Sequence, residues 1–324
     1  MATSDVAAQM RRAASVLLGT LDESQLARAA LSFEDTAARR WLEYRPEWRP
    51  GACLAHLSQA GRKAAHRLLA TALSEHAYAQ AMVVIALEEV LDRREHWQRG
   101  RNSTDYWVSV FGDPAGADPW SWRFEGHHLS VTMTLDGDVV SPAPVFLGAN
   151  PAAVYYGRHP VARPLGPEQD LGLALLHSMD AQARGIAVVA DRAPFDIRSA
   201  TTAQAQLLSP PGVAASVLAG EPRARLDDLV ALYLGRLAPE LARPEQARIA
   251  GGDLHFAWEG PTSPGTAHYY RIQADDLLIE YDNTTPDGNH AHSVLRRPGG
   301  DFGTDILAAH YRQAHQVPPA AGRA

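Results

Sequence analysis

Four short segments in the last quarter of the chain constrain its fold most, because each has the composition of a β-strand. They read DLHFAWEG, AHYYRIQ, DLLIEYDN and HAHSVLR. Residues that favour turns separate them, so neighbouring segments are expected to pair as an antiparallel meander. The C-terminal part of the chain is therefore predicted to be built on an antiparallel sheet.

The first hundred residues favour helices instead. They are rich in Ala, Leu, Glu and Arg, and Leu68, Leu69 and Leu73 recur at helical spacing. Helices in front and strands behind predict an α+β fold rather than alternating βαβ units. We expect a helical N-terminal region over residues 1–100, packed on a mostly antiparallel sheet in a mixed region over residues 101–324. Together the two regions are expected to form one compact domain.

The composition excludes several classes of function. The net charge is -7, which gives no reason to expect nucleic acid as a partner. Cys53 is the only cysteine, so an intrachain disulfide and a thiolate metal cage are both ruled out. No stretch approaches the roughly 20 apolar residues that span a membrane, and the apolar run near the N-terminus is too short for a signal peptide. We expect a cytoplasmic protein whose partner is a small molecule, and the oligomeric state is left open.

The segment LLIEYDNTTPDGNHAHSV combines carboxylates and histidines in the pattern of an antiparallel hairpin. Side chains alternate along a strand, so Glu280 and Asp282 share one face of the first strand, while His290 and His292 share one face of the second. A turn-rich loop over residues 283–289 joins the two strands. Symmetric pairing predicts Asp282 opposite His290 and Glu280 opposite His292, with opposed Cβ atoms roughly 4.5–5.5 Å apart. Two imidazoles and two carboxylates would then share one patch.

Imidazole and carboxylate groups in one patch are typical of sites for iron, copper or zinc. The HxH spacing places His290 and His292 on the same side of a strand, as binding of one divalent transition metal requires. Glu280 is then expected to be a ligand or a general base, and Asp282 to orient a ligand histidine. The alternative is a polar face exposed to solvent, on which the carboxylates and histidines form salt bridges.

A second pair of histidines lies in EGHHLSVTMTL, where the apolar pattern of a strand changes parity. Apolar residues have even numbers before Gly126 and odd numbers after His128. An extra residue in the strand, a β-bulge at Gly126, would reconcile the two halves and bring both His127 and His128 towards one site. Without a bulge, His127 would lie on the apolar face as a hydrogen-bonded core residue. We expect one or both of these histidines to join the HxH pair at a metal.

Two arginines are candidates for binding an anionic substrate. Arg271 lies in AHYYRIQ and Arg296 follows HAHSVL. Their guanidinium groups match the geometry of carboxylates and phosphates. The alternative for each arginine is an ion pair at the surface.

Several of these blocks resemble a bacterial family catalogued as domain-of-unknown-function family 3500. The resemblance rests on WSWRFEGHHLSVTMTL, PVFLGANPA, YYRIQADDLLIEYDNTTPDGNHAHSV and GDFGTDILAAHY, and on FEDTAARRWLEYRPEWRPGACLAHLS nearer the front. It extends over nearly the whole chain, from about residue 30 to about residue 315. The GHHLS block and the EYDN…NHxHSV block are its most specific features.

The resemblance supplies motifs without a reaction. The positions that match the family's pattern are Glu125, Gly126, His127, His128, Glu280, Asp282, Asn283, His290 and His292. This match makes Glu125 a further candidate for substrate binding. The chain departs from the pattern after HxHSV, where the family usually has a tryptophan and an arginine–aspartate pair. Here Leu295, Arg296 and Arg297 stand in that place, and Arg296 would still fill the arginine's role.

The leading hypothesis is a metal-dependent enzyme that acts on a small molecule. Its ligands would be the HxH pair with one or both histidines of GHHLS, and an open coordination position would activate water or dioxygen. Several histidines with one carboxylate resemble oxygenase sites, which favours redox chemistry of the oxygenase or oxidase kind over zinc-type hydrolysis. A second hypothesis is a metal-free enzyme with a histidine as general base, oriented by Glu280 or Asp282. A third is a non-catalytic protein that binds a small ligand.

Overall fold

The computed structural model of the protein describes residues 3–284 and 288–314. The α-helices in this part of the chain are α1 (Thr3–Leu18), α2 (Glu23–Ala29), α3 (Thr36–Arg39), α4 (Gln59–Ala72), α5 (Glu75–Arg94), α6 (Gly166–Ser178), α7 (Ala181–Ala187), α8 (Glu221–Leu234), α9 (Pro239–Ile249) and α10 (Thr304–Ala314). The strands are β1 (Ala30–Leu31), β2 (Ala52–Cys53), β3 (Tyr106–Phe111), β4 (Trp120–Gly126), β5 (Leu129–Asp136), β6 (Val139–Ser141), β7 (Val145–Ala149), β8 (Val154–Tyr156), β9 (His159–Ala162), β10 (Val188–Ala190), β11 (Val213–Ala214), β12 (His255–Glu259), β13 (Tyr269–Ala274), β14 (Leu277–Asp282) and β15 (Ala291–Arg296). None of the described helices has both the length and the apolar composition that a membrane crossing requires.

Thirteen of these strands form one sheet, and β8 with β9 forms a separate hairpin. The order across the sheet is β1-β3-β4-β5-β7-β15-β14-β13-β12-β10, while β2, β6 and β11 pair with β3, β5 and β12 outside this order. Among the described strands, only the pairings of β1 with β3 and of β10 with β12 are parallel. The prediction of an α+β fold with a mostly antiparallel sheet is therefore confirmed.

The four C-terminal segments form the predicted meander. Strands β12, β13, β14 and β15 are neighbours in the sheet in chain order, and each pair is antiparallel. Part of the predicted turn between β14 and β15, residues 285–287, lies outside the described residues. The alternation of apolar and polar residues was a sufficient signal here, because each of these strands buries one apolar face.

One face of the sheet is apolar and carries the main core. Trp122, Val131, Leu147 and Ile279 lie on this face, and none of these side chains is accessible to solvent. Buried residues of α1, α4, α5, α6 and α8 belong to the same hydrophobic cluster. Burying a large apolar side chain contributes about 1.5–3 kcal/mol, so this cluster is the main source of stability. Buried residues of α1, α4 and α5, from the first hundred residues, thus belong to the same hydrophobic cluster as buried residues of the sheet.

The first hundred residues are not entirely helical. Strands β1 and β2 both pair with β3, so the sheet extends across the boundary that was expected at residue 100. Each of these strands has two residues. A segment this short has no periodicity that could predict it.

The opposite face of the sheet is polar and nevertheless buried. Arg123, Glu280, Asp282, His292 and Arg296 lie on it, and each is at most 9% exposed. A smaller apolar cluster attaches irregular segments of the chain to this face, and its members are Leu42, Tyr44, Phe146, Ile197, Val294 and Phe302. Charged groups beneath such a cover need partners, because an unpaired buried charge is costly. The candidate site lies in this polar layer.

Candidate metal centre

His127 and His128 form the turn of a tight hairpin rather than part of one continuous strand. Strand β4 ends at Gly126, β5 begins at Leu129, and these two residues pair with each other. The alternative of a β-bulge at Gly126 is therefore wrong. The apolar residues change parity because the chain reverses direction, and the apolar residues of the two strands then oppose one another on the same face.

The turn is held in a strained conformation by its surroundings. His128 has a φ of 62°, a left-handed conformation that costs an ordinary residue about 1–2 kcal/mol. Its N–H donates to the carbonyl of Tyr44 at 2.9 Å, and its carbonyl accepts from the N–H of Gly148 at 2.7 Å. The carbonyl of His127 accepts from the Tyr106 hydroxyl at 2.9 Å. Strain of this kind persists only where the surroundings fix it, and it is common at functional sites.

Two glycines make room for the turn. A Cβ at Gly126 would lie 2.2 Å from Cδ1 of Tyr106, and a Cβ at Gly148 would lie 2.8 Å from Cδ2 of His128. Both distances are shorter than carbon atoms approach without a clash. Gly148 belongs to β7, which lies between β5 and β15 in the sheet. The His128 ring therefore passes over the bare backbone of β7 to reach β15.

Three imidazoles converge where the turn meets the start of β15. Nε2 of His128 lies 2.8 Å from Nε2 of His290, the residue just before this strand. The ring of His292 is centred 5.3 Å from the His128 ring and 4.6 Å from the His290 ring. One possible ligand atom from each of the three residues lies within 4.8 Å of the others. This group could hold a metal ion.

The environment keeps the His128 ring neutral. Burial lowers its pKa well below the ordinary value for histidine, and the positive charge that neighbouring imidazoles can carry lowers the pKa further. A neutral imidazole is the form that binds a metal.

Two carboxylates hold His292 through one ring nitrogen. Its Nδ1 lies 2.9 Å from Oδ1 of Asp196 and 3.3 Å from Oδ2 of Asp282, which leaves Nε2 for a metal. Burial alone lowers the pKa of His292, but Asp282 and Asp196 outweigh this effect and raise the pKa to about 10. The hydroxyl of Tyr44 donates to the other oxygen of Asp196 at 2.9 Å. The site thus stabilises a positive charge at this ring, and a carboxylate in this place also orients a ligand histidine.

The spacing of the nitrogens fits a transition metal after a small adjustment. Zinc–imidazole bonds of 2.0–2.1 Å at tetrahedral angles would separate two nitrogens by about 3.3 Å. The Nε2 atoms of His128 and His290 are 2.8 Å apart. A separation larger by about 0.5 Å would admit the ion. The residues present therefore fit a metal bound by three imidazoles.

His127 belongs to a second polar group. Its Nδ1 lies 2.6 Å from Oε1 of Glu88 on α5 and 3.3 Å from Nη1 of Arg101. The shorter contact indicates that Nδ1 donates to the carboxylate. Burial lowers the pKa of His127, although Glu88 opposes this effect. The His127 ring stacks on the His128 ring at 3.7 Å between centroids, so only His128 reaches the HxH pair. Glu88, His127 and His128 form a second group that could hold a metal, and it shares His128 with the first group.

Strands β14 and β15 pair two residues away from the predicted register. Asp282 lies opposite His292, and Glu280 lies opposite Val294. The predicted pairs of Asp282 with His290 and of Glu280 with His292 are therefore wrong. A shift of two residues keeps every side chain on its expected face, whereas a shift of one would have reversed the faces. Asp282 consequently still lies beside a histidine of the HxH pair.

Glu280 anchors a loop and makes no hydrogen bond to these histidines in the described part of the chain. Its carboxylate accepts from the N–H groups of Arg198 at 2.7 Å and Ser199 at 3.2 Å, and from the hydroxyl of Tyr269 at 2.8 Å. Burial raises the pKa of Glu280, and these hydrogen bonds oppose the rise. Its expected role as a ligand or a general base stays a prediction.

The three residues expected to bind substrate all lie in buried ion pairs. Arg271 Nη1 lies 2.9 Å from a glutamate of β12, and Arg296 Nε lies 2.8 Å from Oδ2 of Asp301. Oε1 of Glu125 accepts from Nε of Arg123 at 2.7 Å. The alternative of ion pairs for the two arginines is thus observed, although the pairs are in the interior rather than at the surface. Contact of these residues with a substrate stays a prediction.

Three residues of the site were not predicted: Asp196, Glu88 and Tyr44. Asp196 lies in the irregular segment DRAPFDIRS, and Tyr44 in another irregular segment, where no periodicity or motif points to a role. Glu88 did carry a signal. It follows Ala81 and Val84 on the buried stripe of α5, where an apolar residue is expected. A carboxylate in such a stripe indicates a buried polar partner, here His127.

A family model covers the whole candidate centre. The family described as "Protein of unknown function (DUF3500)" matches residues 3–304. The chain belongs to this family. No curated protein and no solved structure matches the chain. The DUF3500 match includes the turn histidines, the HxH pair and the carboxylates that contact them, so the centre lies within the family's part of the chain.

Proposed function

We propose that this protein is a metal-dependent enzyme acting on a small molecule, with His128, His290 and His292 as the metal ligands. The observation that carries the proposal is the 2.8 Å approach of two imidazole Nε2 atoms from two different hairpins. A third imidazole lies beside them, held through its other nitrogen by two carboxylates. Three protein ligands with such carboxylate support are common in catalytic metal sites, where a fourth position stays open.

The ligand set favours activation of water. Three neutral imidazoles leave the full charge of a divalent ion in place, and this charge lowers the pKa of a bound water. The expected preference for redox chemistry assumed a carboxylate ligand. Asp196 and Asp282 instead contact Nδ1 of His292, behind the ring. We therefore place zinc-type hydrolytic chemistry first.

Redox chemistry with iron or copper is the second candidate, and one observation favours it. Glu88, His127 and His128 offer two imidazoles and one carboxylate within 4.8 Å of one another. This combination is the ligand set of many oxygen-activating iron enzymes. The short contact between Glu88 and His127 weakens this candidate, because the carboxylate is already engaged by the ring.

Elemental analysis of the tag-free, full-length protein tests the proposal. We expect about one equivalent of a transition metal, whose identity also separates zinc from iron or copper. His290→Ala and His292→Ala should each lower the metal content to below about 0.1 equivalent. His159→Ala removes an exposed histidine of β9 and should leave the metal content unchanged.

A different outcome would contradict the proposal. One such outcome is wild-type protein that holds less than about 0.1 equivalent of metal, with no gain when zinc, iron or copper is added. In that case the remaining hypotheses would be a metal-free enzyme and a binding protein. Unchanged metal content in folded His290→Ala protein would place the metal elsewhere. The melting temperature of each metal-free variant shows whether it is folded.

A further inference from the structure

A cavity of about 460 Å³ lies next to the turn, and His127 lines it. A second cavity of about 520 Å³ shares four of its lining residues, Trp48, Arg49, Asp105 and Trp107. These four residues mark the junction of the two cavities. The junction lies outside the group formed by the proposed metal ligands, so a molecule bound there would be a second ligand of the protein.

Two indole rings line the junction. Trp48 is 78% exposed, which leaves most of its ring available to a ligand. Trp107, on β3, is partly buried, and the guanidinium carbon of Arg49 lies 5.6 Å from its ring centroid. One cation therefore already lies against this indole. Indole is the aromatic group that attracts cations most strongly, so the junction offers a surface suited to a positively charged ligand.

Asp105 adds a carboxylate to the same junction. It is half-buried, and within residues 3–284 and 288–314 its side chain has no hydrogen bond or ion pair. Burial raises the pKa of Asp105 and the charge of Glu88 raises it further, while His56 in the lining of the second cavity opposes the rise. A bound cation would oppose both effects, because a positive charge nearby favours the ionised carboxylate.

Each arginine that lines the first cavity already lies within 4 Å of a carboxylate of the protein. Arg101 donates from Nε and Nη2 to the two oxygens of Glu95 at 2.7 and 3.1 Å, and Arg99 lies 3.8 Å from the same carboxylate. Arg49 is buried, and its Nε lies 3.8 Å from Glu125. Of the two charged residues at the junction, Arg49 therefore already has a carboxylate within 4 Å, whereas Asp105 has no ion pair among the described residues.

We propose that this junction binds a small organic ammonium ion. The indoles of Trp48 and Trp107 contact the cation, and the carboxylate of Asp105 neutralises it. Binding at this position does not require the metal, so this inference is independent of the proposed function.

Choline is the probe that tests the inference, and 3,3-dimethylbutan-1-ol is its neutral match, with carbon in place of the ammonium nitrogen. In calorimetric titration of the full-length protein, choline should saturate one site and the alcohol should bind at least about tenfold more weakly. Asp105→Asn keeps the shape of the side chain and should weaken choline binding about tenfold, and Trp48→Ala at least about fivefold. Trp97→Ala is the control, since Trp97 is 63% exposed and lines neither cavity; it should bind choline as the wild type does.

Three results would overturn the inference. Equal affinity for choline and the alcohol would mean that the junction is an apolar pocket. Saturation by benzoate but not by choline would mean that the lining arginines bind an anion. No saturation by choline at concentrations on the order of 50 mM would mean that the junction does not bind an ammonium ion. Protein treated with a chelator should bind choline as untreated protein does, so this test can succeed or fail separately from the test of the metal.

Discussion

Replacement of Gly148 by alanine tests the candidate centre without changing a ligand. A Cβ at this position would lie 2.8 Å from Cδ2 of His128 and 3.1 Å from the carbonyl oxygen of Ala291. Carbon atoms pack at about 3.5–4.0 Å, so the His128 ring must withdraw by about 0.7 Å. The ring has little room to do so, because His128 is 2% exposed and stacks on His127.

This withdrawal should have two measurable effects. Overpacking of a buried site costs about 1–3 kcal/mol, which corresponds to a fall in Tm of roughly 1.5–4.5 °C for a chain of this size. The displaced ring would also disturb the spacing between His128 and His290. Loss of the support that positions a ligand typically lowers metal affinity by about 10–100-fold. Metal affinity should therefore be the more sensitive of the two measurements.

Competition with a coloured chelator measures the metal affinity, and a thermal melt of metal-free protein measures the stability by itself. Gly185→Ala is the matched control, because no atom lies within 4 Å of the Cβ that it adds on α7. This control should keep the wild-type affinity. Wild-type affinity together with a wild-type Tm in the Gly148→Ala protein would refute the placement of the His128 ring over β7.

Three further predictions concern the same part of the molecule. Zinc binding to metal-free protein at pH 7 should release about one proton from His292, because its pKa of about 10 keeps the ring protonated at pH 7. Titration calorimetry in two buffers of different ionisation enthalpy measures this release. Zinc binding without proton release would contradict the assignment of His292 as a ligand. Asp196→Asn should weaken zinc binding about 10–100-fold without changing the stoichiometry, and an unchanged affinity would show that the bond to Nδ1 does not support the ligand. Gly126→Ala should lower the free energy of unfolding by about 3 kcal/mol or more, because the added Cβ would lie 2.2 Å from the Tyr106 ring. Urea unfolding measures this change, and an unchanged urea midpoint would contradict the geometry of the turn.

The architecture was predictable where burial is periodic. The C-terminal meander and the N-terminal helices bury one side of each element, and this leaves a clear period in the sequence. The two-residue strands β1 and β2 leave no such period. The turn at His127 and His128 was not predicted, because a turn and a bulge both shift the parity of apolar residues by one. His128 in a left-handed conformation also hid the turn, since this place is usually taken by glycine or asparagine.

The candidate site was predictable only in part. The HxH spacing and the carboxylates of β14 indicated the correct face, because a face depends on parity alone. The register between β14 and β15 also depends on the length of the connection, and the sequence does not define that length. Asp196 approaches His292 from a segment 96 residues away in the chain. Such a contact depends on how an irregular loop crosses the sheet, and no local pattern encodes it.

The most direct measurement of the central claim is a crystal structure of the metal-loaded protein, with anomalous diffraction recorded at the absorption edge of the metal. We expect one anomalous peak at about 2.0–2.2 Å from a ring nitrogen of each of His128, His290 and His292. The Nε2 atoms of His128 and His290 should then be about 3.3 Å apart. A peak bound by other residues, or no peak while these two nitrogens remain in direct hydrogen-bond contact, would contradict the claim.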